Sequence, residues 1–384
     1  MDINTFCVVP FLGGCIKPNG QISVCCQSRD PRTADHKNMV AWFTSVEMDQ
    51  LRKDLYNGNK HAWCQRCWNS QDVGQESLRH TYNKALFDQE VKQLVLHSAT
   101  NDFKVDGDIR FLDLKLGNLC NLKCMMCGPE SSSRIQSEWK QHREWFPLVE
   151  DTIGVDFTWP EKQNFRDLIL PHVANMKYVK FTGGEPMLNP YIDDILEALP
   201  DDCLVHITTN LTVLDDHKIT QLKRFKKLWI SASVDAVGRL YEIIRFPGKW
   251  GTIEQNVAQV LEQLPDANFS FSITLSTLAI LRIDETINHL KKLSPMIGLI
   301  IVDVPNYMTL NAIPDKWMPK VNERVSNIKD TDLRKQIQGI LAQRVYSNKD
   351  HEDHVLYVQR TSGIRKINID LEDLLYSERS WRNH

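Results

Sequence analysis

No apolar run in this 384-residue chain approaches the length needed to cross a bilayer. Its first residues, MDINTFCVVP, carry neither a basic n-region nor a long apolar core, so no secretory leader is expected and a cytoplasmic location is. An excess of either charge is also missing. With 46 Lys+Arg against 49 Asp+Glu the formal net charge is −3, which gives no electrostatic footing for general nucleic-acid binding. There is no internal repeat and no low-complexity linker, and cysteine is absent after Cys203. What remains is ordinary globular material, 42% hydrophobic and 25% charged, at a length that suits two or three domains. Ten cysteines in a chain expected to be cytoplasmic argue for metal rather than disulfides.

The cysteines fall in two groups. Cys120, Cys124 and Cys127 form a C-x3-C-x2-C triplet after an apolar run (Ile109 to Leu116) and a Gly117-Asn118 break. Three thiolates hold a [4Fe-4S] cube with one iron left open, whereas tetrahedral zinc needs a fourth ligand, and the nearest histidine downstream is His142. The second group lies between Cys7 and Cys67. A Pro18-Asn19-Gly20 turn sits between two short runs and predicts a hairpin, followed by the helix-like MDQLRKDLYNG and the C-x2-C of Cys64 and Cys67. Four thiolates are then available: Cys7, Cys25 or Cys26, Cys64 and Cys67. Side-chain alternation along a strand puts Cys25 and Cys26 on opposite faces, so one of the two joins the group, and Cys15 reads as a packed thiol. Four cysteines also suit structural zinc.

Further along, apolar runs alternate with helix-like stretches. The runs are Tyr178 to Thr182, Leu204 to Thr208, Lys227 to Val234, Phe269 to Ser276 and Gly298 to Val304. Between them lie Tyr191 to Leu199, Asp216 to Phe225, Ile253 to Leu264 and Ile283 to Leu290. Such alternation predicts parallel strands with chemistry at their C-terminal ends. Polar motifs fall there: Gly183-Gly184-Glu185-Pro186, then Asn210, then Ser233 and Asp235. Taken one by one these have bland readings, with Asp235 as a helix N-cap and Arg245 as a solvated cation at a helix end.

The triplet, the GGEP motif and the polar end of the fourth strand, in this order, resemble the radical S-adenosylmethionine (radical SAM) superfamily. The N-terminal cysteines resemble the twitch module, related to the SPASM domain, which carries an auxiliary cluster. In relatives that module most often comes after the barrel, and here it comes first. The resemblance implies an α/β fold, a partial (β/α)6 TIM-like barrel, with a twitch-like module over residues 1–100, a core over 101–310 and a helical C-terminal cap over 311–384. It implies a [4Fe-4S] cluster on Cys120, Cys124 and Cys127. It implies S-adenosylmethionine held by Gly183, Gly184, Glu185, Asn210, Ser233, Asp235 and Arg245, and an auxiliary [4Fe-4S] cluster on Cys7, Cys25, Cys64 and Cys67. The implied activity is reductive cleavage of S-adenosylmethionine to a 5′-deoxyadenosyl radical that takes hydrogen from a peptide or a sugar-like small molecule. A flavodoxin- or ferredoxin-type donor would supply the electron. The competing expectation is a non-catalytic metal-binding scaffold with structural zinc or iron–sulfur sites.

Overall fold

The computed structural model describes residues 1–28, 34–35, 39–72, 76–161 and 164–377. The helical C-terminal segment expected over 311–384 therefore lies partly outside the described residues. Two compact units emerge. One comprises Met1–Leu119, Gly154–Ile207 and Thr220–Leu228, and the other Cys120–Ile153, Thr208–Ile219 and Trp229–His384.

In the first unit, the Pro18-Asn19-Gly20 turn joins β1 (Gly13–Ile16) to β2 (Gln21–Ser23) as an antiparallel hairpin, and Gly20 takes the left-handed φ of 80° that the turn requires. The short β3 (Ala34–Asp35) pairs on the far side of β2. On its other edge β1 runs parallel to β4 (Phe111–Lys115), with Cys15 opposite Asp113. Then β5 (Tyr178–Thr182) and β6 (Leu204–Thr209) add in parallel. The N-terminal cysteine hairpin thus continues the same sheet as β4. The helix-like MDQLRKDLYNG becomes Val46–Tyr56, capped by Ser45.

The second unit carries β7 (Lys227–Ser233), β8 (Asn268–Leu275) and β9 (Ile297–Ile301), all parallel. Helices Trp250–Gln263 and Ile283–Leu290 lie in sequence between them, and the second repeats the expected bounds. Strand β8 alternates, with Phe269, Phe271, Ile273 and Leu275 buried and the residues between them partly exposed. The helical end comprises Met318–Ser326, Thr331–Ala342, Asn348–Arg365 and Leu371–Tyr376. The fold is mixed α/β with the strand–helix alternation of a partial (β/α)6 barrel. No described helix is long and apolar enough to cross a membrane.

Candidate functional site

The triplet loop is held by backbone bonds to the end of a helix. The last carbonyls of Gly238–Ile244 have no partner inside the helix. Met125 N–H donates to Ile244 O at 2.8 Å, and Lys123 N–H donates to Phe246 O at 2.6 Å. Cys124 and Cys127 are joined within the loop by the Cys127 N–H to Cys124 O bond at 3.1 Å, and the Ser132 hydroxyl donates to Leu122 O at 2.6 Å.

Arg245, just after that helix, is 7% exposed rather than solvated. Its Nη1 lies 3.8 Å from Cys124 Sγ, and its Nε forms an ion pair with Asp235 Oδ2 at 2.7 Å. Asp235 is fully buried, and its other oxygen accepts from Thr274 N–H at 2.7 Å. The N-cap reading of Asp235 is therefore displaced. The helix begins at Gly238 with Val237 as its cap residue, and the carboxylate is committed to the guanidinium. A hydrogen bond from Cys127 and the Arg245 cation together hold the Cys124 thiol below its usual range, against the opposing effect of burial.

Asn210 also reaches the loop. Its amide donates to Asn121 Oδ1 at 2.9 Å and lies 3.9 Å from Cys120 Sγ. Ser233 closes β7, in register with Ser272. Two further contacts come from the C-terminal helix, whose residues carry no local motif that would single them out. The Tyr357 hydroxyl donates to Met125 O at 2.9 Å, and Arg365 Nη1 lies 3.3 Å from Met125 Sδ. Arg365 pairs with buried Glu138 at 2.7 Å, which Lys123 also meets at 2.9 Å.

In the first unit the GGEP motif is read out by space. A Cβ on Gly184 would stand 2.1 Å from Leu119 O, and Gly183 has φ +109° against Lys115 and Gly117. The two glycines let the turn lie on the strand that leads toward the triplet, where Glu185 N–H donates to Leu119 O at 2.7 Å. The Glu185 carboxylate is 1% exposed and accepts from Met187 N–H at 3.0 Å.

The other cysteines converge in that same unit. Cys7, Cys25, Cys64 and Cys67 line one small cavity, walled by Val9, Leu78 and Tyr82. Cys25 is among the lining residues and Cys26 is not, although the reason differs from strand alternation. Here β2 stops at Ser23, and the bend beyond it turns Cys25 to the cavity while Cys26 lies toward Asp113. Burial pushes the Cys7 thiol up to about 12 and raises Cys25 and Cys64 as well. Arg79, 3% exposed and bonded to Phe6 O at 2.7 Å, supplies a cation at this cavity that sequence patterning did not reveal. An apolar, four-thiol cavity with one buried cation fits a group that binds thiolates and carries negative charge. Among the described residues, no three His, Cys, Asp or Glu side chains already stand at metal-ligand spacing.

The Radical SAM superfamily model matches residues 114–293, a stretch that holds the triplet, GGEP, Asn210, Ser233, Asp235 and Arg245. That segment, a little under half of the chain, is the part similar to the superfamily. A probable GTP 3′,8-cyclase from Methanocella arvoryzae is 30% identical over 131 residues, covering 34% of this chain and 36% of that protein. One from Halobacterium salinarum is 29% identical over 107 residues, covering 28% of this chain and 26% of its own. The chain thus spans about a third or less of the length of these curated relatives. Among solved structures, native anSMEcpe with bound AdoMet aligns at 14% identity and a TM-score of 0.39, covering 62% of this chain and 64% of that one. Streptococcus suis SuiB bound to S-adenosylmethionine aligns at 13% identity and a TM-score of 0.38, covering 82% and 66%.

Proposed function

We propose that the chain is a radical SAM enzyme with one auxiliary cluster, acting on a peptide or a sugar-like small molecule in a net oxidation or related modification. The observation that carries this reading is the cysteine triplet within the matched stretch, buttressed by Arg245 and Asp235. The partial likeness to probable GTP 3′,8-cyclases supports the small-molecule side of the choice.

In this reading Cys120, Cys124 and Cys127 hold the [4Fe-4S] cluster. Gly183, Gly184, Glu185, Asn210, Ser233, Asp235 and Arg245 hold S-adenosylmethionine, and Cys7, Cys25, Cys64 and Cys67 hold the auxiliary [4Fe-4S] cluster. When bound, cluster and S-adenosylmethionine supply a 5′-deoxyadenosyl radical that abstracts hydrogen from the substrate. The chain's own residues do the rest. Arg245 places a buried positive charge beside Cys124, which favours the thiolate a metal ligand needs, while Asp235 holds the guanidinium in place. Gly183 and Gly184 bring backbone close where any side chain would clash, and Glu185 keeps a buried acceptor at that turn. Arg79 offsets negative charge at the four-cysteine cavity. The proposal includes the division into module (1–100), core (101–310) and cap (311–384), a flavodoxin- or ferredoxin-type electron donor and a cytoplasmic location.

The test is anaerobic reconstitution with iron and sulfide, then dithionite and S-adenosylmethionine, following 5′-deoxyadenosine. Iron is counted in wild type and in the Cys120→Ala/Cys124→Ala/Cys127→Ala variant. Release that vanishes in the variant with about four irons remaining supports both clusters. Absence of release, with zinc held at the N-terminal cysteines, overturns the reading in favour of a scaffold.

A further inference from the structure

Strand register brings a row of polar residues onto one face of the sheet. Cys15 of β1 stands opposite Asp113 of β4, Asp113 opposite Lys180 of β5, and Lys180 opposite His206 of β6. Paired residues in neighbouring strands point to the same side, at about 4.8 Å per strand. One step along, Lys115 pairs with Thr182 on the same face. The opposite face is apolar and closed, with Leu112, Leu114, Val179, Phe181, Val205 and Ile207 all at most 2% exposed. Core packing therefore accounts for that side and leaves the polar row without a packing reason.

The row is charged unevenly. His206 accepts or donates at 2.8 Å with the Tyr178 hydroxyl, and burial, then the nearby Lys180, lowers it to about 3, so it is neutral at pH 7. Burial raises the thiol of Cys15, so it too is uncharged. Two ammonium groups, Lys115 and Lys180, then face a single carboxylate, Asp113. That carboxylate is fully buried; the Thr182 hydroxyl donates to Oδ1 at 3.0 Å, the Cys26 thiol lies against the group, and Oδ2 has no partner at hydrogen-bond geometry among the described residues. A buried carboxylate oxygen without a partner and a surplus positive charge are both costly unless something completes them.

We propose that this face binds the anionic group of a small substrate, a carboxylate or a phosphate. Lys180 and Lys115 serve as its counter-ions, and Asp113 Oδ2 accepts a hydrogen bond from a hydroxyl or amine on the same molecule. The inference deepens the reading of the chain as an enzyme acting on a small molecule and rests on it for the chemistry done to the bound compound. The anion site itself stands on the strand register and the buried Asp113 carboxylate, independently of that reading.

The test is calorimetric titration of the reconstituted full chain, without S-adenosylmethionine, with inorganic phosphate in one arm and malonate in the other. Wild type and the surface control Lys349→Gln bind one of these anions. Lys180→Gln weakens binding tenfold or more. Asp113→Asn removes the negative neighbour and tightens simple anions roughly threefold or more. A misfolded variant lowers both, so the opposite signs separate charge from fold. Equal affinity in wild type and Lys180→Gln, weaker binding in Asp113→Asn, or no binding of either anion overturns the proposal. Wild-type 5′-deoxyadenosine release, measured on the same preparation, reports separately on the radical SAM reading. Anion binding without release would sink that reading alone, and release without anion binding would sink this one alone.

Discussion

Glu138 is the keystone of the contact between the C-terminal helix and the triplet loop, and its removal should cost more than removal of its larger partner. Its side chain is 2% exposed and meets Arg365, 1% exposed, at 2.7 Å and Lys123, 25% exposed, at 2.9 Å. Glu138→Gln leaves the Arg365 guanidinium buried with no counter-charge, a loss of about 3–5 kcal/mol. Arg365→Met leaves the carboxylate still paired with partly exposed Lys123, and methionine keeps apolar contact near Phe246 and Met125, so roughly 2 kcal/mol is expected. The double variant Glu138→Gln/Arg365→Met should cost less than the sum of the two, with a coupling of about 1–3 kcal/mol. Anaerobic guanidinium denaturation monitored by circular dichroism measures all three. The pH dependence has a definite sign. Burial alone would raise Glu138, but Arg365 and Lys123 more than offset it and hold it below its usual 4.5. Its contribution is therefore complete above that value and is lost as pH falls through the lower folded value, so wild type and Glu138→Gln converge in acid. An Arg365→Met loss equal to or larger than the Glu138→Gln loss, or strict additivity, refutes this account.

Gly184→Ala places a methyl 2.1 Å from Leu119 O, against backbone that has no room to yield, and should abolish 5′-deoxyadenosine release while Gly251→Ala, whose Cβ meets nothing, leaves it intact. At the N-terminal cavity, Cys25→Ser should lower the iron count of the triple-alanine background and Cys26→Ser should not; the reverse would move the ligand to Cys26. His206 is held near 3 in the fold against 6.5 outside it. The unfolded chain takes up a proton first as pH falls, so wild type loses about 2 kcal/mol between pH 7 and pH 5 from this group. His206→Gln should lack that slope, and an unchanged slope in denaturation at the two pH values would show that His206 titrates normally.

How much of the molecule is legible in the sequence depends on the range of the interaction. The strands of the alternation and the Ile283–Leu290 helix are legible because hydrophobic period is local. Four cysteines scattered from Cys7 to Cys67 are legible as one group because thiols have few reasons to recur at such spacing. The preference for Cys25 has a different cause from strand alternation, since a strand that ends at Ser23 imposes no alternation on the residues beyond it. Asp235 and Arg245 each have a local alternative, cap and solvated cation, and each alternative fails for the same reason. An ion pair between a strand end and a helix end ten residues apart is decided by tertiary approach, which neither residue's own neighbours reveal. Glu138, Tyr357 and Arg365 are invisible on the same ground, because a contact across more than two hundred residues leaves no periodic trace. The polar row of Cys15, Asp113, Lys180 and His206 is intermediate. Each residue can be placed on its strand from the pattern, but only register shows that they stand side by side. One further residue of slip in β5 would put Lys180 among the helices and Phe181 beside Asp113, so the register that closes the apolar face is also what assembles the polar one.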